Sequence, residues 1–484
     1  MAKKRLAPSG AGWHTNKLYQ TLCSLHKSDA RQLLKFLRSP YFNQSKTLVR
    51  LCEILFDAIE LDKTGFDRFR AWDQIFTGEP YDDTNFRKYC SDLLKLVEDF
   101  MAVEAVSNDP VRRNINLLEY VVQRKIEPLY TSVLRQARSA MLGFQYHSLD
   151  YFKNSYEIER LYYSMMDYDV KLNTRANIEE IGYNLDHFYW IEKLKLHSSA
   201  LSQKRTGNYH YDLRFNKEIL NYLEKNSIEE VPELAIYYYS FMTLYEEEKD
   251  EHYFNLRRLL DKYGILMPQN EAVELYDSAL HYCTGKLNKE NQIFLREYFN
   301  LFEEGLEKGI FILNEELAPW RFNNAIAAAL RLGKLDWAEQ FIEKYKKYLP
   351  LETQQNTYTF NLARVYRYQR KFDKVLGLLR NLEYEDIGYN LISKTMLINA
   401  YYELEEQDAL ESFMESFRVF LNRNKNIPQN RRKSYLNLLK YVRKLTRVTP
   451  GDKDAINKLR DEIIREKANH VNHEWLLKKI AELE

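Results

Sequence analysis

The sequence predicts an all-α fold, and three features carry that prediction. The 484-residue chain contains only 15 glycines and 11 prolines, so residues that interrupt helices are few. Apolar residues recur at steps of three and four, the spacing that gives a helix one buried face. A turn pattern also recurs in the C-terminal half at a nearly constant interval. We therefore expect antiparallel helix pairs stacked in an array, with few strands.

The clearest helix pair lies at residues 319–350. Residues 323–332 are rich in alanine and leucine, which are strong helix formers, and Gly333 follows where a helix ends in a left-handed residue. A second helix is predicted from about Asp336, with an apolar stripe along one side, and Pro350 ends it. One pair cannot bury that stripe by itself, so neighbouring pairs must cover it.

The turn of this pair, GKLDWA at residues 333–338, resembles the turn between the two helices of a tetratricopeptide repeat, a unit of about 34 residues. Ala338 matches the small residue of the family's second helix, and Ile326 replaces the glycine of its first. KFDKV at residues 371–375 repeats the turn 37 residues further on, and QDA at residues 407–409 repeats it after about 34 more. Upstream the interval loosens to roughly 40 residues, so the repeats are degenerate.

In tetratricopeptide proteins the first helices line a concave groove that takes extended peptides. The resemblance therefore implies a partner-binding role for the residues at the groove positions of three successive repeats. They are Trp320, Asn323, Ala327, Leu330, Arg331, Phe360, Arg364, Arg367, Tyr368, Lys394, Ile398, Tyr401 and Tyr402. Arginine can donate two parallel hydrogen bonds to a carboxylate, and the tyrosine ring supplies a flat contact surface. A segment bearing carboxylates would therefore suit this surface. RNA bases could stack on the same tyrosines. Charge reversal at Arg364 and Arg367 is expected to weaken partner capture without lowering thermal stability.

The domain organisation predicted from composition and turn signals has five parts. They are a flexible basic tail at 1–12, an N-terminal helical domain at 13–107, a linker bundle or degenerate repeats at 108–207, repeats at 208–448, and capping helices at 449–484. The boundary near residue 207 rests on the loop-like sequence at 204–211. Self-association is the alternative role of the two C-terminal helices.

Capping residues predict several helix starts in the N-terminal part. Ser28 is expected to cap a helix over residues 29–37, and Asp82 or Asp83 to cap a long amphipathic helix. Thr174 is expected to precede another long helix. Short helices before a long one also allow a DNA-reading helix-turn-helix, with Arg87 near the start of the long helix, although a solvated face explains the same pattern.

Charge is balanced overall but uneven along the chain. There are 71 basic and 70 acidic residues, so no global field attracts nucleic acid. Residues 418–448 contain no acidic residue and form a basic patch that includes Arg423, Lys425, Arg431, Arg432, Lys433, Lys440, Arg443 and Lys444. This stretch could bind RNA, DNA, an acidic protein or another subunit, whereas basic residues near helix ends also favour the helix dipole.

Sequence motifs give no support for catalysis or for a cofactor. No phosphate-binding glycine loop, dinucleotide fingerprint or nucleophile elbow is present, so we expect no enzyme and no cofactor. His470 and His473 have the spacing of a ligand pair but lack a recognisable third ligand, so no metal is expected. The four cysteines form no C-x-x-C pair, which favours reduced thiols in a cytoplasmic protein.

Neither a secretory signal nor a membrane span is expected. The basic N-terminal tail has no apolar run, and the longest uncharged apolar stretch, at residues 235–245, is shorter than the roughly 18 residues that a span needs. The sequence therefore predicts a soluble adaptor or scaffold that binds a protein partner without membrane insertion. A nucleic-acid-associated factor using the 418–448 stretch or the N-terminal domain is the alternative.

Overall fold

The computed structural model describes residues 16–60, 66–207, 209–226, 228–288, 291–380, 382, 384, 386–466 and 470–484. The predicted tail at residues 1–12 lies outside them. The chain forms two compact units, Met1–Tyr189 and Trp190–Glu484, and the division falls inside one long helix. Over the described residues there are 24 α-helices and one two-stranded sheet, which confirms the all-α prediction.

The first unit consists of helices throughout its described part. They are α1 (Lys17–Cys23), α2 (Lys27–Arg38), α3 (Lys46–Glu60), α4 (Arg68–Ile75), α5 (Asp83–Ser107), α6 (Pro110–Gln123), a 3-10 helix (Glu127–Leu129), α7 (Tyr130–Met141), α8 (Leu149–Met165), α9 (Tyr168–Asn173) and the start of α10 (Ile178–Gly207). One hydrophobic cluster joins α1 to α5, and a second joins α6, α7 and α8.

The helix starts in the first unit confirm the prediction for Asp82 and correct the prediction for Ser28. The side chain of Asp82 accepts hydrogen bonds from the backbone N–H groups of Thr84 and Asn85 and so caps α5. Ser28 is not a cap, because α2 already begins at Lys27 and Ser28 lies in its first turn. The long helix expected after Thr174 is present as α10, which begins at Ile178, although Thr174 is not its cap; the Thr174 hydroxyl donates to the Val170 carbonyl at the end of α9.

The second unit continues with paired helices. They are the rest of α10, α11 (Asn216–Lys225), a 3-10 helix (Ile228–Glu230), α12 (Pro232–Tyr245), α13 (Asp250–Tyr263), a 3-10 helix (Gly264–Leu266), α14 (Gln269–Asn288), α15 (Ile293–Glu307), β1 (Ile312–Leu313), β2 (Glu316–Leu317), α16 (Pro319–Arg331), α17 (Leu335–Tyr345), a 3-10 helix (Lys346–Tyr348), α18 (Leu351–Tyr368), α19 (Phe372–Leu379), α20 (Ile387–Glu403), α21 (Gln407–Arg423), α22 (Gln429–Leu445), α23 (Lys453–Arg465) and α24 (His473–Ala481). β1 and β2 pair antiparallel. Because α10 runs to Gly207, residues 204–207 of the predicted loop are helical, and residues 209–211 are the non-helical part that the structure describes.

Three hairpins of this unit share one turn geometry. A left-handed residue separates the two helices at Gly333 (φ 72°), Arg370 (φ 59°) and Glu405 (φ 56°). In each turn the following backbone N–H bonds the carbonyl five residues earlier, over 2.9 Å at Lys334, 2.9 Å at Lys371 and 3.1 Å at Glu406. The turns that the sequence pattern placed near residues 333, 371 and 407 are therefore present.

Packing between the hairpins is also repeated. Helix α16 contacts its own second helix α17 and the next first helix α18, and α18 likewise contacts α19 and α20. A hydrophobic cluster runs from α18 to α24 and includes Leu476 and Ile480 of α24, both 0% exposed. Helix α24 is thus part of the core at the end of the chain. No helix in the described ranges is both long and apolar enough to cross a bilayer.

Candidate partner-binding surface

A network of polar side chains links the first helices of three successive hairpins, α16, α18 and α20. Asn361 of α18 donates through Nδ2 to Oδ1 of Asn323 on α16, and Asn323 donates through its own Nδ2 to the hydroxyl of Tyr389 on α20. Arg364 Nη1 lies 3.1 Å from the Asn323 carbonyl oxygen and 3.1 Å from Asn361 Oδ1. The network fixes the Arg364 side chain at the junction of two hairpins.

Arg364 carries a positive charge that only neutral groups compensate. Its hydrogen-bond acceptors are a carbonyl and an amide, and over the described residues no carboxylate lies within ion-pair distance. Burial lowers the pKa of Arg364 to about 10, because loss of water penalises the charged form. The guanidinium is still charged at neutral pH, so an approaching anion would be attracted to it.

An exposed aromatic residue lies on each of the two helices that hold Arg364. Trp320, one turn before Asn323, is 49% exposed, and Tyr368, one turn after Arg364, is 45% exposed. Trp320 packs on the Arg321 guanidinium, 4.3 Å from the ring centroid. We call the surface formed by Trp320, Asn323, Arg364, Tyr368 and Tyr389 the first-helix face.

Arg321 holds Trp320 in place through a buried ion pair. Its guanidinium is 6% exposed and makes two parallel hydrogen bonds of 2.6 Å to the carboxylate of Asp277 on α14. It also lies 4.4 Å from the ring centroid of Phe311. A fork-to-fork pair of this kind has one preferred geometry, so Trp320 is presented by a rigid support.

The residues that the resemblance assigned to the groove lie in different environments. Phe360 and Tyr401 are buried in the core, at 3% and 5% exposure. The Lys394 ammonium lies 4.9 Å from the Phe420 ring of α21. Arg331 is exposed at the end of α16. Asn323, Arg364 and Tyr368 remain accessible or partly accessible, so the candidate surface lies mainly on the first two hairpins and includes only Tyr389 from the third.

The C-terminal helix covers the third hairpin. The ring of Tyr402 makes an edge contact with Trp475 of α24, with centroids 5.2 Å apart. Asn472 Nδ2, just before α24, donates to Asn399 Oδ1 on α20 over 2.8 Å, and Arg367 Nη2 lies 3.4 Å from Asn472 Oδ1. Arg367 and Tyr402 therefore face the end of the chain, which the repeat pattern did not predict.

Glu403 is the centre of this contact. Its side chain is 6% exposed and accepts Lys479 Nζ over 2.6 Å, Arg370 Nη2 over 3.0 Å and Trp475 Nε1 over 3.0 Å. Lys479 is itself 3% exposed. Nothing in the local sequence marks Glu403 as buried, because its partners on α24 are more than 70 residues away.

The basic stretch at residues 418–448 is partly neutralised by acids from neighbouring helices. Lys440 and Lys444 both bind Glu462 of α23, at 2.8 and 2.5 Å, and Arg443 binds Glu411 of α21 at 2.6 Å. Arg432 donates to the backbone carbonyls at the end of α21 and in the next turn. The exposed members of the predicted patch are Arg423, Lys425, Arg431, Lys433 and Lys440, and the last of these is the one that binds Glu462. The stretch is therefore less positive than its composition indicates.

The histidines near the C-terminus form a hydrogen-bonded pair. His470 Nδ1 lies 2.8 Å from the Glu466 carbonyl oxygen, so this nitrogen carries the proton, and Nε2 accepts from His473 Nδ1 over 3.0 Å. The Tyr441 ring packs against His470, and the Tyr441 hydroxyl donates to the Glu466 carboxylate. Over the described residues no group of three histidines, cysteines or acids is placed to hold a metal.

Acidification is expected to weaken the packing of His470 against Tyr441 and His473. Burial lowers the pKa of His470, so the unfolded chain binds a proton near the ordinary pKa of about 6.5 while the folded chain resists it. Stability present above that pH is lost as the pH falls. The decrease in Tm between about pH 7.5 and 5.5 should be smaller in His470→Gln than in the parent chain, and unchanged in His281→Gln, an exposed control. Equal pH dependence in all three proteins would contradict this role.

No protein-family model matches the chain, and neither does any curated protein or solved structure.

Proposed function

We propose that the second unit is a tetratricopeptide-like helical array and that the protein is a non-catalytic adaptor. In this proposal the first-helix face holds an acidic, extended segment of a protein partner. The repeated left-handed turns and the contacts between successive first helices support the array. Arrays of this kind carry extended binding surfaces on the helices that contact one another across repeats.

The proposal rests mainly on the environment of the Arg364 guanidinium. It is desolvated and held by Asn323 and Asn361, and its charge has no carboxylate partner over the described residues. Leaving a charge in such a place is unfavourable unless something else stabilises it. A carboxylate of the partner would provide that stabilisation, and the hydrogen bonds that fix Arg364 reduce the entropy lost on binding.

The exposed aromatic residues favour a peptide over a free small anion. Trp320 and Tyr368 present large, stiff side chains on the two helices that flank Arg364. Such residues supply much of the binding energy in protein interfaces. An extended segment could place a carboxylate on Arg364 and apolar groups on the two rings, which gives contact along the face as well as charge recognition.

Replacing Arg364 with glutamine should weaken binding of a fluorescent glutamate-rich peptide by about tenfold, since a hydrogen bond to a charged group contributes about 1.5 to 3 kcal/mol. Fluorescence anisotropy on the full chain would measure this change. Arg380→Gln removes an exposed arginine directly after α19 and serves as the control. Equal affinities of the two variants would reject the first-helix face.

Charge reversal is a poorer test than the sequence indicated. A glutamate at position 364 would place a carboxylate beside the Asn323 carbonyl and Asn361 Oδ1, which are the acceptors of Arg364. Repulsion there would lower stability as well as binding. Glutamine keeps a donor in the same region and removes only the charge, so the two effects can be separated by measuring Tm alongside affinity.

A further inference from the structure

A cavity of about 520 Å³ lies where α18 and α20 end against the first turn of α24. Its volume is in the range of small-molecule sites. Arg367, Arg370 and Lys478 contribute cationic groups to its wall, and Glu403 and Glu474 contribute carboxylates. The cavity adjoins the first-helix face at Tyr368 but differs from it, because its wall includes the C-terminal helix and excludes Arg364.

The charges around the cavity do not cancel locally. Glu403 is matched by Lys479 at 2.6 Å and by Arg370 at 3.0 Å, and Glu474 is exposed on the first turn of α24. Over the described residues neither Arg367 nor Lys478 has an ion-pair partner, and the Arg367 bond to the Asn472 amide is 3.4 Å long. Two cations thus border the cavity without a bound carboxylate.

The N-terminus of α24 adds donors at the same place. Residues 472 to 475 all line the cavity, and α24 is nine residues long. Asn472, at the cap position, has a left-handed backbone (φ 64°) and makes no cap hydrogen bond, because its side chain binds Asn399 instead. The Asn472 side chain therefore does not cap the first turn of α24, and helix N-termini favour anions.

Asn399 is a second sign of an incomplete site. The residue is 0% exposed and lines the cavity, yet its Nδ2 donor has no hydrogen-bond partner over the described residues. Buried amide donors are nearly always satisfied, so an unmatched donor beside a cavity indicates an acceptor that the protein itself does not supply.

We propose that this cavity binds a small organic phosphate, with the phosphate between Arg367, Lys478 and the N-terminus of α24. A phosphate dianion matches two unmatched cations and a helix terminus, whereas a single carboxylate would leave one cation unpaired. The cavity is much larger than a phosphate ion. Tyr368, Phe372 and Trp475 line the remaining wall, so the ligand carries a flat or apolar group beside its phosphate.

Calorimetric titration of the full chain with adenosine monophosphate, inorganic phosphate and adenosine tests the proposal. Adenosine monophosphate should bind more tightly than phosphate, and adenosine should not bind. Lys478→Gln should weaken binding of adenosine monophosphate by about tenfold, and Arg367→Gln by at least as much, as expected for lost charged hydrogen bonds. Lys478 is exposed, so its variant tests binding without disturbing the core.

Lys458→Gln on α23 is the matched control, since Lys458 is exposed and does not line the cavity. Three results would overturn the proposal: no binding of adenosine monophosphate, binding no tighter than that of inorganic phosphate, or equal weakening by Lys478→Gln and Lys458→Gln. The last result would indicate general charge attraction. Arg364→Gln tests the acidic-peptide site separately, because Arg364 is outside this cavity even though Tyr368 belongs to both surfaces.

Discussion

Replacing Glu403 with alanine should lower the free energy of unfolding by about 3 kcal/mol. The carboxylate is 6% exposed and receives Lys479, Arg370 and Trp475. Removing it leaves the Lys479 ammonium, 3% exposed, with only the half-exposed Glu482 at 2.6 Å. Because Glu482 remains, we expect the lower end of the range for breaking a buried ion pair.

Urea denaturation followed by circular dichroism would measure the loss, with Asp461→Ala on α23 as the exposed control. A double variant, Glu403→Ala with Lys479→Met, should lose less than the sum of the two single variants, since it leaves no buried ammonium unpaired. Strict additivity would show that the pair is not coupled. A Glu403→Ala chain as stable as the control would show that the α24 contact contributes little.

The hairpins were predictable because their signals are local. Gly333 marks a left-handed turn by residue type alone. Arg370 and Glu405 adopt the same conformation without being glycine, and only the neighbouring patterns at residues 371–375 and 407–409 indicated their turns. Helix periodicity and turn residues act over a few positions, so they specify hairpins well.

The contact of α24 with the third hairpin could not be predicted in the same way. Tyr402 occupies a groove position by the repeat pattern, but α24 covers it through contacts that join residues 72 and 73 positions apart. No periodic signal encodes such pairs. The network of Asn323, Asn361 and Tyr389 was missed for the same reason, because each of its hydrogen bonds joins residues of two different hairpins.

Capping residues were less reliable than apolar periodicity. Ser28 and Thr174 both have side chains that favour helix starts, yet one lies inside a helix and the other ends one. Serine and threonine hydroxyls also bond to nearby backbone carbonyls, as Thr174 does with Val170. Residue type alone therefore does not show whether a serine or threonine caps the start of a helix or bonds to a carbonyl of a preceding turn.

Replacing Phe322 with alanine should lower the free energy of unfolding by about 3 to 5 kcal/mol, the usual loss for a large aromatic residue removed from a core. Phe322 is 0% exposed, and its ring centroid lies 4.9 Å from that of Phe341 on α17. The cavity left behind would lie between the two helices of the hairpin that supports Asn323. Urea denaturation would measure the loss in free energy.

Trp320, two residues earlier, provides the matched comparison on the same helix. It is 49% exposed and its main contact is the Arg321 guanidinium, so Trp320→Ala should lower stability by no more than about 1 kcal/mol. Its effect should instead appear in the peptide assay, because exposed tryptophans are frequent binding hot spots. If Trp320→Ala destabilises the chain as strongly as Phe322→Ala and leaves peptide affinity unchanged, Trp320 is a packing residue, and the first-helix face loses its aromatic contact on α16.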